Sequence, residues 1–272
     1  MTVEQIERRR LKAETKELFR TAQVSPKGMA ALYLGLGLLL NFVDQFANRG
    51  AEGLLNPLGV FVTILTALLS SVLGVGFILY CMAIRRGERA EYLTLFDGFS
   101  FVGKIIALEL VASLFIILWS MLFIIPGIVA AYRYRFAVYN LCENPGIGVM
   151  EALDMSKRQT LGYKGQLFVL DWSYFGWELL GVLPALIVAG CLVGAAVQAD
   201  SYAPWDLALY FQQLMLWAVL AGVWAFVVAL FYRPNYQCVE LGYFEIAKRT
   251  SGVGLCPEPP RLEGDPGGWG QP

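Results

Sequence analysis

The sequence predicts an all-α, polytopic transmembrane bundle, and three observations carry that expectation. The 272 residues are 57% hydrophobic and only 16% charged, against roughly 45–50% apolar and 25% charged in soluble domains. The apolar residues gather into runs of the length that crosses a bilayer, since about 20 residues span a hydrocarbon core of about 30 Å. Lys and Arg collect between alternate runs, as they do in cytoplasmic loops.

Six runs follow one another along the chain. The first covers about Gly28 to Phe46, and the second Leu58 to Ile84 without an ionisable acid or base before Arg85. The third, Ile105 to Ile125, carries one acid, Glu109, read as an interfacial group close to Lys104. After Pro126-Gly127 a fourth run continues from Ile128 to Cys142, interrupted by Arg133 and Arg135. The fifth covers about Gln166 to Val197 and the sixth about Leu207 to Tyr232. Joining the third and fourth into one kinked helix would instead make five spans with the chain ends on opposite sides.

The basic residues separate these two topologies. With six spans and a cytoplasmic N-terminus, 18 of the 21 Lys and Arg lie inside, Arg49 alone lies outside, and Arg133 and Arg135 lie within the fourth span. Five spans would divide them 11 inside to 10 outside, which removes the positive-inside bias. Six spans with both termini in the cytoplasm are therefore expected. The first 27 residues are long and acidic for a signal-peptide n-region, carrying Glu4, Glu7, Glu14 and Glu17, so the first span reads as an uncleaved anchor.

Between the spans, the inner segments read as amphipathic helices lying in the membrane interface. Thr2-x-x-Gln5 has the form of a capping box opening a helix with Val3, Ile6, Leu11, Leu18 and Phe19 broadly on one side. Tyr92 to Phe99 precedes the third span and Ile147 to Leu161 the fifth. A Lys adjoins a Gly before lipid in all three places, at Lys27-Gly28, Gly103-Lys104 and Lys164-Gly165. Either three copies of one unit, an interfacial helix plus a hairpin, or independent use of Lys as an inner anchor accounts for this. The chain thus divides into a cytoplasmic amphipathic helix (1–27), a six-span membrane domain (28–249) and a Pro/Gly-rich tail (250–272) expected to be disordered. Cys81, Cys142, Cys191, Cys238 and Cys256 show no zinc spacing and read as packed, unbridged thiols.

Ionisable groups at membrane depth mark functional hypotheses by default. Arg133, Arg135, Asp171 and Glu178 form the candidate intramembrane polar cluster. At 1.5 Å per residue the arginines lie about 10–14 Å below the turn at Pro126-Gly127, and Asp171 and Glu178 about 9 and 20 Å above the inner surface, which makes Arg133 and Glu178 nearly level. Three readings stand: snorkelling of both arginines to inner headgroups, which the sequence favours; internal pairing, with Arg133 matched to Glu178; and a substrate or proton path. Gly35 with Gly37, and Gly74 with Gly76, permit close helix contact without forming GxxxG.

A formal net charge of −1 argues against a globally basic nucleic-acid binder, and the absence of histidine removes every imidazole base and HExxH zinc site. There is no P-loop, GxSxG, SxxK pair or dinucleotide fingerprint. No enzyme, cofactor or metal site is therefore expected, carboxylate-only chemistry at Asp171 and Glu178 being the formal exception.

Phe123-Ile124-Ile125-Pro126-Gly127-Ile128, then Tyr132-Arg133-Tyr134, Glu143-Asn144-Pro145, Glu151-Ala152-Leu153, Ser156-Lys157, Gly162 and Phe168 through Trp177 together resemble a family of bacterial integral membrane proteins known as domain of unknown function 975. The resemblance implies a multi-pass protein of the bacterial cytoplasmic membrane and carries no catalytic or ligand residues. The layout is also distantly similar to membrane domains fused to some glycerophosphodiester phosphodiesterases, a link to lipid processes without the catalytic domain. The leading expectation is a membrane scaffold, interaction or lipid-associated module whose basic inner helices meet anionic headgroups. The alternative is a small transporter or channel with its site between the fourth and fifth spans.

Overall fold

The computed structural model describes residues 4–48, 57–197 and 204–255. Every regular element among them is helical: α1 (Arg8–Thr21), α2 (Pro26–Ala47), α3 (Pro57–Arg86), a 3-10 helix (Tyr92–Phe101), α4 (Val102–Leu122), α5 (Ile124–Tyr134), α6 (Ala137–Glu143), α7 (Val149–Gln159), α8 (Lys164–Val197) and α9 (Pro204–Ser251). Five stretches among the described residues are long and apolar enough to cross a membrane: Pro26–Ala47, Pro57–Arg86, Tyr92–Leu122, Lys164–Gly194 and Gln212–Ser251. The protein has the architecture of a multi-pass membrane protein.

The fourth expected span is not one of these. α5 has only 11 residues, and after the turn at Arg135-Phe136 the chain resumes as the seven-residue α6. Nor do α4 and α5 form one kinked helix. Phe123 is extended, and α5 folds back on α4 so closely that a Cβ at Gly127 would strike the Ser120 backbone and side chain. Phe115 and Tyr134 stack across this hairpin at 5.9 Å. The Lys104 ammonium donates to the carbonyls of Pro145 and Ile147, the latter at 3.2 Å, so the chain after α6 returns to where α4 began.

Two segments expected to lie in the interface pack on other helices. α1 begins at Arg8, with Gln5 before it in no regular element and Thr2 and Val3 outside the described residues. Its Leu11 and Thr15 are buried, and Leu18 and Phe19 pack against the core. The Tyr92–Phe101 helix runs straight into α4 and crosses α3 backbone to backbone. A Cβ at Gly76 would fall on the Leu95 carbonyl, and one at Gly98 would lie 2.7 Å from the Val72 carbonyl. Of the other paired glycines, Gly35 and Gly37 face open space.

Burial is unevenly distributed along the helices. α2 buries only Pro26, Met29 and Ala30 at its start, α3 is buried mainly from Val72 to Ile84, and α9 most densely from Cys238 to Phe244. These parts meet α6, α7 and the beginning of α8 in one core that includes Tyr80, Phe136, Leu153, Leu167 and Tyr243. Beyond it, α2, α4, α8 and α9 present exposed Leu, Phe, Val, Ile and Trp, as a lipid-facing surface does. Both ends of the described chain sit at the dense end. Tyr163 accepts from the Glu4 amide at 3.2 Å and bonds Thr250, while Gln166 clasps Ile6 and Glu4. Cys81, Cys142 and Cys238 are buried free thiols, Cys191 is an exposed one, and Cys256 with the rest of the tail lies outside the described residues.

Candidate functional site

The dense end holds a charged network built on Arg135. α5 ends at Tyr134 and α6 begins at Ala137, so the junction leaves backbone groups without helical partners. Ser156 of α7 satisfies two of them: its hydroxyl accepts from the Phe136 amide at 3.1 Å and donates to the Arg133 carbonyl at 2.8 Å. Thr160 reaches the same carbonyl at 3.4 Å. Beside this junction Asn140 and Gln159, both buried, exchange two side-chain hydrogen bonds of 2.8 Å. The break in the helix is thus pinned by α7, and it carries the Arg135 side chain toward α8 and α9.

There the guanidinium meets Asp171 as a fork, with Nη1 donating to Oδ2 at 2.7 Å and Nη2 to Oδ1 at 3.0 Å. Its Nε donates to Glu240 of α9, and Nη2 also bonds the Tyr236 hydroxyl. The hydroxyls of Tyr132 and Tyr236 donate to Asp171 at 2.6 and 2.7 Å. The guanidinium carbon also lies 5.4 and 5.9 Å from the centroids of those two rings. Exposure of the three charged side chains is 19% for Arg135, 30% for Asp171 and 5% for Glu240. An ionised carboxylate offers about four acceptor positions, and all four on Asp171 are engaged. Its lone pairs are therefore committed to holding α5, α8 and α9 together, and proton abstraction would first have to break that set.

Of the four residues singled out from the sequence, Arg135 and Asp171 come together and the other two do not. Arg133 turns away into a basic hollow with Lys157, Arg158 and Lys164. Glu178 is exposed among apolar neighbours on α8, with no hydrogen-bond or ion-pair partner among the described residues. The level-matched pair Arg133–Glu178 is therefore not formed. Arg133 and Arg135 are two residues apart, about 200° around a helix, so they cannot share one face. Glu240, the deepest acid of the network, lies beyond the apolar run that ends near Tyr232. The signal for it is the four-residue spacing of Tyr232, Tyr236, Glu240 and Phe244, which extends an inward stripe past that run.

Other charges serve the same end of the bundle. Arg85 bonds Glu245 at 2.7 Å and the Cys238 carbonyl at 3.2 Å, and Glu143 takes both Arg86 and Lys248. Glu109 is held by the Ser71 hydroxyl rather than by Lys104, which caps the chain after α6. Among the described residues no buried side-chain nitrogen or oxygen lacks a partner, and no group of three His, Cys, Asp or Glu is placed to hold a metal ion.

No curated protein and no solved structure matches the chain. Residues 121–215 match the model of a family described as "Protein of unknown function (DUF975)". The chain is similar to that family over about a third of its length, a stretch that contains Arg133, Arg135, Asp171 and Glu178 and stops short of Tyr236 and Glu240.

Proposed function

We propose that this protein is a non-enzymatic scaffold or lipid-associated module of the bacterial cytoplasmic membrane, with both termini inside. Its chain makes six passes, the fourth by α5 and α6 together. The return of residues 145–147 to Lys104 and the positive-inside count support that topology. The basic inner face meets anionic headgroups. The observation that carries the reading is the saturation of Asp171: a carboxylate with every acceptor position engaged is a joint between helices, and Arg135 beside it is neutralised from two sides.

Thiol accessibility in native membranes tests this reading. Single cysteines at positions 133, 171 and 178 are placed on a Cys-free background and treated from each side with a small impermeant reagent. Position 133 is expected to label from the cytoplasm, and positions 171 and 178 to stay silent. Labelling of both 171 and 178 would define an aqueous path through the bundle and make the protein a transporter or channel.

A further inference from the structure

The hollow that receives Arg133 is the feature the helix-joining network leaves unexplained. About 570 Å³ in volume, it is lined by Arg133, Asp154, Lys157, Arg158, Leu161 and Lys164, which come from the end of α5, from α7 and the turn after it, and from the start of α8. Four cations thus face one carboxylate. Lys157 already engages that carboxylate at 2.6 Å, and the Lys157 hydrogen bond, with Lys157, Arg158 and Arg133 nearby, holds the Asp154 carboxyl below its ordinary range. Arg133, Arg158 and Lys164 make no ion pair among the described residues. Unlike lone surface lysines, these groups are set on a fixed frame. The Arg133 carbonyl is bonded by Ser156 and Thr160, both fully buried, and Lys157 sits 6.0 Å from the Tyr134 ring centroid.

A second observation points to what fills the hollow. Lys164, Phe168, Trp172 and Phe175 share one face of α8 by their spacing of four, four and three residues. The three aromatic rings form a continuous stacked series, with centroids 6.3 and 5.2 Å apart, and Tyr132 of α5 meets Phe168 edge-on at 6.4 Å. All three are exposed, Trp172 most at 66%. From Lys164 to Phe175 the stripe rises about 16 Å, close to one leaflet of a hydrocarbon core about 30 Å thick. A cationic hollow opening onto an apolar stripe one leaflet long matches an amphiphile with an anionic head.

We infer that the hollow of Arg133, Lys157, Arg158 and Lys164 binds the phosphate of an anionic membrane lipid whose acyl chain lies along Phe168, Trp172 and Phe175. This assignment rests on the lipid-associated reading above and gives it a site. Arg158 and Lys164 supply charge-assisted hydrogen bonds to phosphate oxygens, Arg133 closes the inner wall, and the aromatic stripe selects a lipid over a free ion.

Lipid retention by the purified full chain, measured by native mass spectrometry with added phosphatidylglycerol or phosphatidylcholine, tests it. One phosphatidylglycerol is expected to be retained preferentially. Arg158→Gln with Lys164→Gln should weaken that retention at least about tenfold, while Arg9→Gln with Arg10→Gln at exposed positions of α1 should leave it unchanged. Trp172→Ala should weaken lipid retention without lowering the binding of inorganic phosphate. Loss in the α1 pair alone would overturn the site and leave the headgroup reading standing. Equal retention of the two lipids would overturn both. Inorganic phosphate bound as tightly as the lipid, and indifferent to Trp172→Ala, would make this a free-phosphate site. Arg9, Arg10 and Arg158 are exposed and Lys164 partly so, and an unchanged melting curve shows that any loss comes from the site.

Discussion

At the scale of single residues, the molecule is governed by how completely its buried polar groups are matched. Glu240 is 5% exposed and takes a bond from the Arg135 Nε, so Glu240→Ala would leave part of a buried guanidinium uncompensated. A loss of about 3–5 kcal/mol is expected from breaking such a pair, read as a lowered thermal midpoint in detergent. Glu178→Gln should leave the midpoint unchanged, and a comparable loss there would mean that Glu178 has a partner in the folded protein. Ser156→Ala tests the pin itself, because the Phe136 amide loses its side-chain partner and the Arg133 carbonyl keeps only the longer bond from Thr160. A cost of about 1–3 kcal/mol follows from leaving buried groups unsatisfied. Much of this site is legible in the sequence: Arg135 and Asp171 announce themselves as charges among apolar residues. Their pairing is not, because rise along a helix gives depth without azimuth, and because Arg135 sits where helical periodicity breaks. Arg133 lines the basic hollow beside α7, whereas Arg135 pairs with Asp171 and Glu240 inside the bundle.

At the scale of elements, backbone approach decides which glycines matter. Gly76 and Gly98 let the Tyr92–Phe101 helix lie directly on α3, and Gly76→Ala would drive a methyl group into the Leu95 carbonyl. Overpacking of this kind costs about 1–3 kcal/mol or more, whereas Gly35→Ala meets open space and gains up to about 1 kcal/mol of helix propensity. Comparing the two midpoints checks the crossing, and equal behaviour would mean the helices do not touch there. Composition reveals that both glycine pairs could support close packing but not which one does. The same gap explains α1: its amphipathic pattern is visible in Leu11, Leu18 and Phe19, yet an apolar face suits protein as well as lipid. Here the covering surface is α9, where a Cβ at Gly242 would come within 3.1 Å of Leu11.

At the scale of the whole molecule, helix length exceeds bilayer thickness. α3 with 30 residues and α9 with 48 extend about 45 and 72 Å, so each must run well beyond a core of about 30 Å. One end of both helices is densely packed, and it gathers the chain ends, α1, α6, α7 and most of the ion pairs. Six apolar runs are readable in the sequence because hydropathy is additive along a chain. The fate of the fourth is not, since α5 and α6 are two short helices parted by a turn and held by α7 and by Lys104. That return has a consequence for topology. Reporters that fluoresce only in the cytoplasm, fused after Gly146 and after Ser251, should both be active, while one fused at position 52 between α2 and α3 should be silent. A silent fusion at 146 beside an active one at 251 would mean that α5 and α6 do not bring the chain back across the membrane. Because Lys104 and the Pro145–Ile147 carbonyls are bonded, that outcome would also remove the frame on which Arg133 and α7 stand.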